Sequence, residues 1–184
     1  MTSTLRIYRD QDLTDLQLST DNPDKIQQQL AEIGVGFEQW PCRLSEEAFV
    51  NSSDEAVIAA YQTEIDQLIK QQGYQTYDLI QLTSDHPEKA NLRQKFLNEH
   101  IHSEDEVRFF IAGEGLFSLH IDQHVYEIHC LAGDLIRVPA NTKHWFDMGP
   151  NPDFAALRFF NNSDGWVAQF TGDDIANRFN RLVN

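Results

Sequence analysis

Apolar and polar positions along this chain follow two rhythms, and the change between them divides the sequence. Before residue 96 the rhythm is largely helical. Val57, Ile58, Tyr61, Ile65, Leu68 and Ile69 recur at the spacing of one helix face. A helix is therefore predicted over 54–72, stopped by Gly73, with one stripe packed against the rest of the protein. Asp21-Asn22-Pro23, the run 24–33 and then Gly34 read as a capped start, a short helix and a glycine stop. A further short helix is predicted over 88–96, and strands over 5–8 and 77–82. From 107 to 159 the texture becomes short apolar runs divided by Gly113-Glu114-Gly115, Gly133-Asp134 and Met148-Gly149-Pro150-Asn151-Pro152. Strands separated by turns at that spacing are an all-β signature. The expected fold class is thus mainly β, a barrel with several flanking helices, chiefly N-terminal. Asp173-Asp174 reads as a helix start, and the tail with Trp166, Phe170 and Phe179 is expected to cover the outside of the barrel.

A length of 184 residues suits one domain over 1–184. Residues 1–95 are expected to pack on the barrel, 96–160 to form its core and 161–184 to cover it. Lys and Arg total 14 against 29 Asp and Glu, a net charge of −15, which disfavours nucleic acid and anionic membrane surfaces as partners. The start, Met1-Thr2-Ser3-Thr4-Leu5-Arg6-Ile7-Tyr8, lacks the apolar region of a signal peptide, and no stretch approaches the length of a membrane span. The expected location is the cytoplasm. Cys42 and Cys130 form no C-x-x-C pair and are expected to stay reduced. No long exposed apolar stripe is evident, so the expected state is a monomer.

The candidate chemistry lies in His100-Ile101-His102-Ser103-Glu104-Asp105-Glu106, answered later by His144 in Val138-Pro139-Ala140-Asn141-Thr142-Lys143-His144-Trp145-Phe146. Side chains alternate faces along a strand, so His100 and His102 point the same way, and Glu106 keeps that parity if the chain stays extended. Three imidazoles and one carboxylate suit a first-row divalent ion such as iron, nickel, copper, zinc or manganese, with two positions open on an octahedral ion. H-x-H-x3-E alone would arise in a shuffled chain on the order of once in fifty times. The context adds Gly113 after Glu106, and Gly133 and Pro139 before His144. These intervals resemble the two motifs of the cupin superfamily, in which a small double-stranded β-helix, or jelly-roll, barrel holds one metal between facing strands. Asn141 and Met148 stand where the second motif usually has Gly and Asn, and Gln94 where the first opens with Gly.

The resemblance becomes narrower over Lys95-Phe96-Leu97-Asn98-Glu99-His100-Ile101-His102-Ser103-Glu104-Asp105-Glu106-Val107-Arg108-Phe109-Phe110, over His144-Trp145-Phe146-Asp147-Met148-Gly149, and over Gly165-Trp166-Val167-Ala168-Gln169-Phe170-Thr171-Gly172-Asp173-Asp174. There the chain resembles the acireductone dioxygenase family of methionine salvage, across nearly its whole length. The resemblance implies that His100, His102, Glu106 and His144 bind one Fe(II) or Ni(II) per chain. It implies O2 and 1,2-dihydroxy-3-keto-5-methylthiopentene as substrates. It implies formate and 4-methylthio-2-oxobutanoate as products of the iron form, and formate, 3-methylthiopropionate and carbon monoxide as products of the nickel form.

Arg108 has ligand parity and, by the resemblance, assists the substrate anion; the other reading is a surface salt bridge. Phe96, Phe146 and Trp166 match positions near the substrate, where they could wall off the methylthio tail, or be ordinary core. Arg158, flanked by apolar residues, could face the cavity as a second anion-holding group and would need a partner. His86, His120, His124 and His129 lack the paired spacing and read as structural or solvent-facing. Asp147 could orient a ligand histidine. Two other readings stay open: another metal-dependent cupin oxygenase or isomerase, and a cupin that binds a small molecule without turnover.

Overall fold

The structure is a computed structural model that describes residues 1–162 and 167–183. Its strands are β1 (Thr4–Arg9), β2 (Asp12–Thr20), β3 (Gly36–Gln39), β4 (Thr76–Leu82), β5 (His100–Ile101), β6 (Glu106–Ala112), β7 (Glu114–Ile121), β8 (His124–Leu131), β9 (Asp134–Val138), β10 (Lys143–Asp147), β11 (Phe154–Phe160) and β12 (Gln169–Phe170). The helices are α1 (Pro23–Ala31), α2 (Glu46–Val50), α3 (Asp54–Ala60), α4 (Gln62–Gln72) and α5 (Lys89–Phe96). Among the described residues, seven strands form one sheet in the order β12-β5-β10-β7-β8-β1-β2, and five form another, β3-β9-β6-β11-β4. Every pairing is antiparallel.

The two sheets enclose the main core. Leu5, Ile7, Phe117, Leu119 and Phe146 of the first sheet meet Phe110, Ile136, Val138, Phe154 and Ala156 of the second. On the other face of the five-stranded sheet, Val107, Phe109, Leu135, Leu157 and Phe159 receive Val57, Tyr61, Ile65 and Leu68 from α3 and α4. β6 is thus packed on both faces, which is why residues 109–112 read as an unbroken apolar run rather than an alternation, with Arg108 standing as a buried charge between Val107 and Phe109. The outer face of the seven-stranded sheet is covered from the C-terminal side, where Ile175, Ala176 and Phe179 pack on Tyr8, Val125 and Trp145. Asp174 precedes the short 3-10 helix Ile175–Arg178, and the Asp173 carboxylate accepts from the Ile175 amide.

Several elements differ from the sequence reading, each for a physical reason. The helix predicted over 54–72 is two helices with a break at Tyr61 (φ −108°, ψ 9°). Tyr61 leaves the helical region with its ring fully buried, edge-on to Phe109, and its hydroxyl accepts from the Arg43 amide. The apolar stripe continues through the break because Tyr61 itself fills the core. β2, β3 and α2 went without prediction. β2 lies at the sheet edge, and its side chains are largely exposed, so no burial pattern marks it in the sequence. The third difference is that the chain is not extended from His100 to Glu106. β5 ends at Ile101 and β6 begins at Glu106, in the other sheet. No helix among the described residues is long and apolar enough to cross a membrane.

Candidate metal centre

Four donors converge at the end of the two sheets. His144 on β10 lies in register with His100 on β5, so their imidazoles leave the same face side by side, with ring centroids 4.4 Å apart. Glu106 opens β6 in the opposing sheet, and His102 lies in the connection between β5 and β6. Strand parity therefore brings together His100 and His144, while the turn at 102–105 swings Glu106 across from the other sheet. One ligand atom from each of the four lies within 4.8 Å of the other three, and all four residues are buried. Glu106 Oε2 is 2.7 Å from His144 Nε2 and 3.4 Å from His102 Nε2.

The connections that carry these residues are fastened to each other. The Asn141 amide donates to the His102 carbonyl (2.8 Å), and the Ala140 amide to the Asp105 carboxylate (3.0 Å), which also accepts from the Tyr74 hydroxyl. Asn141 makes this turn at φ +63°, a left-handed conformation that Asn tolerates better than most residues. It thereby serves where the cupin motif usually places Gly.

Two of the imidazoles are oriented by backbone carbonyls. His100 Nδ1 lies 2.7 Å from the Asn98 carbonyl, and His144 Nδ1 lies 2.7 Å from the Thr142 carbonyl. A proton on Nδ1 donating to the carbonyl leaves the Nε2 lone pair for a metal. Asp147 does not orient a ligand histidine. Its buried carboxylate accepts from the Arg93 guanidinium (2.7 and 3.0 Å) and from the Gly149 and Leu182 amides, bolting α5 and the tail to β10.

Electrostatics suit a cation. Burial, with the neighbouring His144, pushes His100 down to about 4, so its imidazole is neutral and able to coordinate at neutral pH. Burial works against ionisation of Glu106 as well. The Arg108 guanidinium and the contacts from His102 and His144 outweigh it and hold the carboxyl well below the usual carboxylate range. The donor set, three imidazoles and one carboxylate, fits a first-row divalent ion, and coordination by it would give a complex of net charge about +1.

Arg108 shares a face of β6 with Glu106, is buried, and places Nε 2.7 Å from Glu106 Oε1. Its guanidinium lies over Phe146 (4.5 Å), Phe117 (5.5 Å) and Phe96 (5.9 Å). This is no surface salt bridge. Three aromatic faces and one carboxylate hold the cation beside the donors. Phe96, half-buried at the end of α5, has its ring 6.5 Å from that of His100. Phe146 is buried in the main core beneath Arg108. Trp166 lies outside the described residues. Arg158 on β11 is in register with Arg108, hence on the same face of the sheet, and pairs through Nε and an Nη with Asp78 of β4 (2.8 and 2.5 Å).

The remaining histidines make other contacts. His120 sits between the Glu99 (2.7 Å) and Asp10 (3.3 Å) carboxylates, and His129 meets Glu114 (2.7 Å). His124 Nδ1 bonds the Asp122 carbonyl, and His86 Nδ1 accepts from the Glu88 amide. Phe170, whose ring lies 6.0 Å from His100, was not singled out beside the metal motif. Only the pairing of β12 with β5 reveals its place, and that pairing has no local mark in the sequence.

Comparison with known proteins matches residues 4–168 to the ARD/ARD' family. The acireductone dioxygenase of Alcanivorax borkumensis is 52% identical over 183 residues, covering 100% of both chains. That of Pseudomonas paraeruginosa is 56% identical over 178 residues, covering 96% of this chain and 97% of its own. Among solved structures, an acireductone dioxygenase from Bacillus anthracis with a cadmium ion in its active centre superposes with a TM-score of 0.77 at 28% identity, over 92% of this chain and 98% of the other.

Proposed function

This chain belongs to the ARD/ARD' family, and on that premise we propose that it is an acireductone dioxygenase of methionine salvage. It cleaves 1,2-dihydroxy-3-keto-5-methylthiopentene with O2. The observation that carries this reading is the buried convergence of His100, His102, Glu106 and His144 with Arg108 against them. Those four residues are the metal ligands. The bound ion supplies Lewis acidity that favours the deprotonated enediolate.

The protein's own groups do the rest. The Asn98 and Thr142 carbonyls fix the tautomers of His100 and His144, so the donors are already aimed. Arg108, charged and held among aromatic faces, binds the enediolate anion, where a low-dielectric wall strengthens the attraction. Phe96 and Phe146 supply that wall and keep water from the reacting carbons. Trp166 joins them by resemblance, and Arg158, one strand beyond Arg108 on the same face, stands behind it with its charge offset by Asp78.

The enediolate is electron-rich enough to reduce O2 without a change in the metal's oxidation state. Loaded with iron(II), the protein would yield formate and 4-methylthio-2-oxobutanoate, with one carbon–carbon bond of the substrate broken. Loaded with nickel(II), it would yield formate, 3-methylthiopropionate and carbon monoxide, with two broken. Both oxygen atoms of O2 enter the products in either case. The protein works as a cytoplasmic monomer; Cys42 and Cys130 are unpaired, in keeping with a reducing compartment.

The test is product analysis on protein stripped of metal and reloaded without oxygen. Carbon monoxide from the nickel-loaded protein and the oxo acid from the iron-loaded protein are expected. Full metal loading with no consumption of substrate by either would overturn the assignment.

A further inference from the structure

The ligand face of the seven-stranded sheet carries a row of residues that extends beyond the ligands. Phe170 on β12 is in register with His100 on β5, which is in register with His144 on β10. Residues paired across antiparallel strands share a face, so Phe170 projects on the same side as the two imidazoles. Its ring lies 6.0 Å from that of His100, at 68° to it, and Phe96 approaches the same imidazole at 6.5 Å.

Phe170 is nevertheless 55% exposed. A lone exposed phenyl elsewhere on the surface would carry no meaning. This one is held in place by an anchored backbone. Gln169 pairs with Ile101, the Thr171 amide donates to the Glu99 carbonyl (3.1 Å), and the Thr171 hydroxyl donates to Glu99 Oε1 (2.6 Å). Glu99 is fully buried, and its other carboxylate oxygen bonds His120. The strand is fixed while the ring stays open, the state expected of a preorganised contact for a ligand.

We propose that Phe170 is a specificity-determining residue that, with Phe96, receives the alkylthio tail of the substrate while Arg108 and the metal ligands hold the enediol end. The inference rests on the dioxygenase reading above. Its chemistry follows from placement, because the enediol must lie at the donors and the tail begins a few bonds away. Among the described residues, the phenyl rings at that distance from the His100 imidazole are those of Phe170 and Phe96.

The test compares wild type, Phe170→Ala and Phe170→Leu, each loaded with iron(II), on the natural substrate and on an acireductone whose tail is trimmed to methyl. Anaerobic dissociation constants and steady-state kinetics are measured for both substrates. In Phe170→Ala the dissociation constant for the natural substrate is expected to rise about fivefold, the effect of losing contact over roughly half a phenyl surface. The trimmed substrate should change by less than about twofold, kcat should hold for both, and Phe170→Leu should recover part of the loss. Metal content per chain should match wild type. Equal losses on the two substrates, or no loss on either, overturn the assignment. Wild type that binds and consumes neither substrate overturns the dioxygenase reading, and this assignment with it.

Discussion

Gly115→Ala tests how tightly the core is coupled to Arg108. Gly115 lies in β7 across from Cys130, and a Cβ there would stand 2.4 Å from Phe146 Cε2, 2.5 Å from Cζ, and 3.2 Å from Phe110 Cε1. Ordinary contact begins at 3.4 Å, so the Phe146 ring would have to retreat by about 1 Å. The ring is hemmed in. Phe117 lies 4.8 Å from it centroid to centroid, Phe154 5.9 Å and Phe110 6.4 Å, and the Arg108 guanidinium covers a face at 4.5 Å. Overpacking of this kind costs about 1–3 kcal/mol. In a chain of this size each kcal/mol lowers Tm by about 2–4 °C, so a fall of about 2–12 °C is expected by calorimetry. Displacement of Arg108 should lower kcat/KM as well, with metal content unchanged. Phe146→Leu in the same chain makes room for the methyl group, and the two changes together should be less harmful than their sum by about 1 kcal/mol or more. Unchanged Tm in Gly115→Ala, or strict additivity with Phe146→Leu, would refute this account of the packing.

Other expectations follow from the same geometry. Arg108→Ala should retain metal but lose at least about tenfold in kcat/KM, through weaker substrate binding; wild-type kinetics would remove the arginine from the site. The metal-free form of that variant should be less stable by about 3–5 kcal/mol, because the buried Glu106 carboxylate loses its counter-charge. Loading the wild type with nickel(II) at about a hundred times its dissociation constant should stabilise it by about 2.7 kcal/mol. His144→Ala should abolish most of that gain, and an equal gain in the variant would place the ion elsewhere. Burial pushes the Glu127 carboxyl above its ordinary value, against the two hydrogen bonds from Asn180. The folded protein thus holds that proton more tightly than the unfolded chain. The contribution to stability is full below the ordinary carboxylate range and is lost as pH rises through the raised value. Glu127→Gln should flatten this decline in a series of Tm measurements from about pH 4 to 8; parallel curves would contradict it.

The donor set was legible in the sequence because two histidines one residue apart, a nearby carboxylate and a later histidine after the turn marked by Pro139 form a metal-ligand spacing, even though His102 lies just past the end of β5. The route by which Glu106 joins them was not. A strand that ends at Ile101 and a new one that begins in the opposing sheet depend on the bonds of Asn141 and Ala140 to His102 and Asp105, residues far apart in the chain. The partner of Arg158 was hidden for the same reason, since Asp78 meets it only through the register of β4 with β11. Phe170 depends likewise on the pairing of β12 with β5. Asp147 shows the reverse error. Next to the metal motif in sequence, it faces away and accepts from Arg93. The local patterns of α1, α5 and the stretch 54–72 were legible except at Tyr61, where the apolar stripe persists while the backbone breaks; the short α2 was not. β2, exposed along an edge, carries no burial signal at all.

The most direct test of the metal centre as the site of chemistry is oxygen uptake in an electrode, started by adding acireductone to four samples: metal-free protein, iron(II)-loaded protein, nickel(II)-loaded protein, and Glu106→Gln treated with the same ions. Uptake of one O2 per acireductone by the two loaded wild-type samples, with only the background rate in metal-free protein and in Glu106→Gln, is the predicted result. Uptake above background by metal-free protein, or by Glu106→Gln at the wild-type rate, would contradict the account.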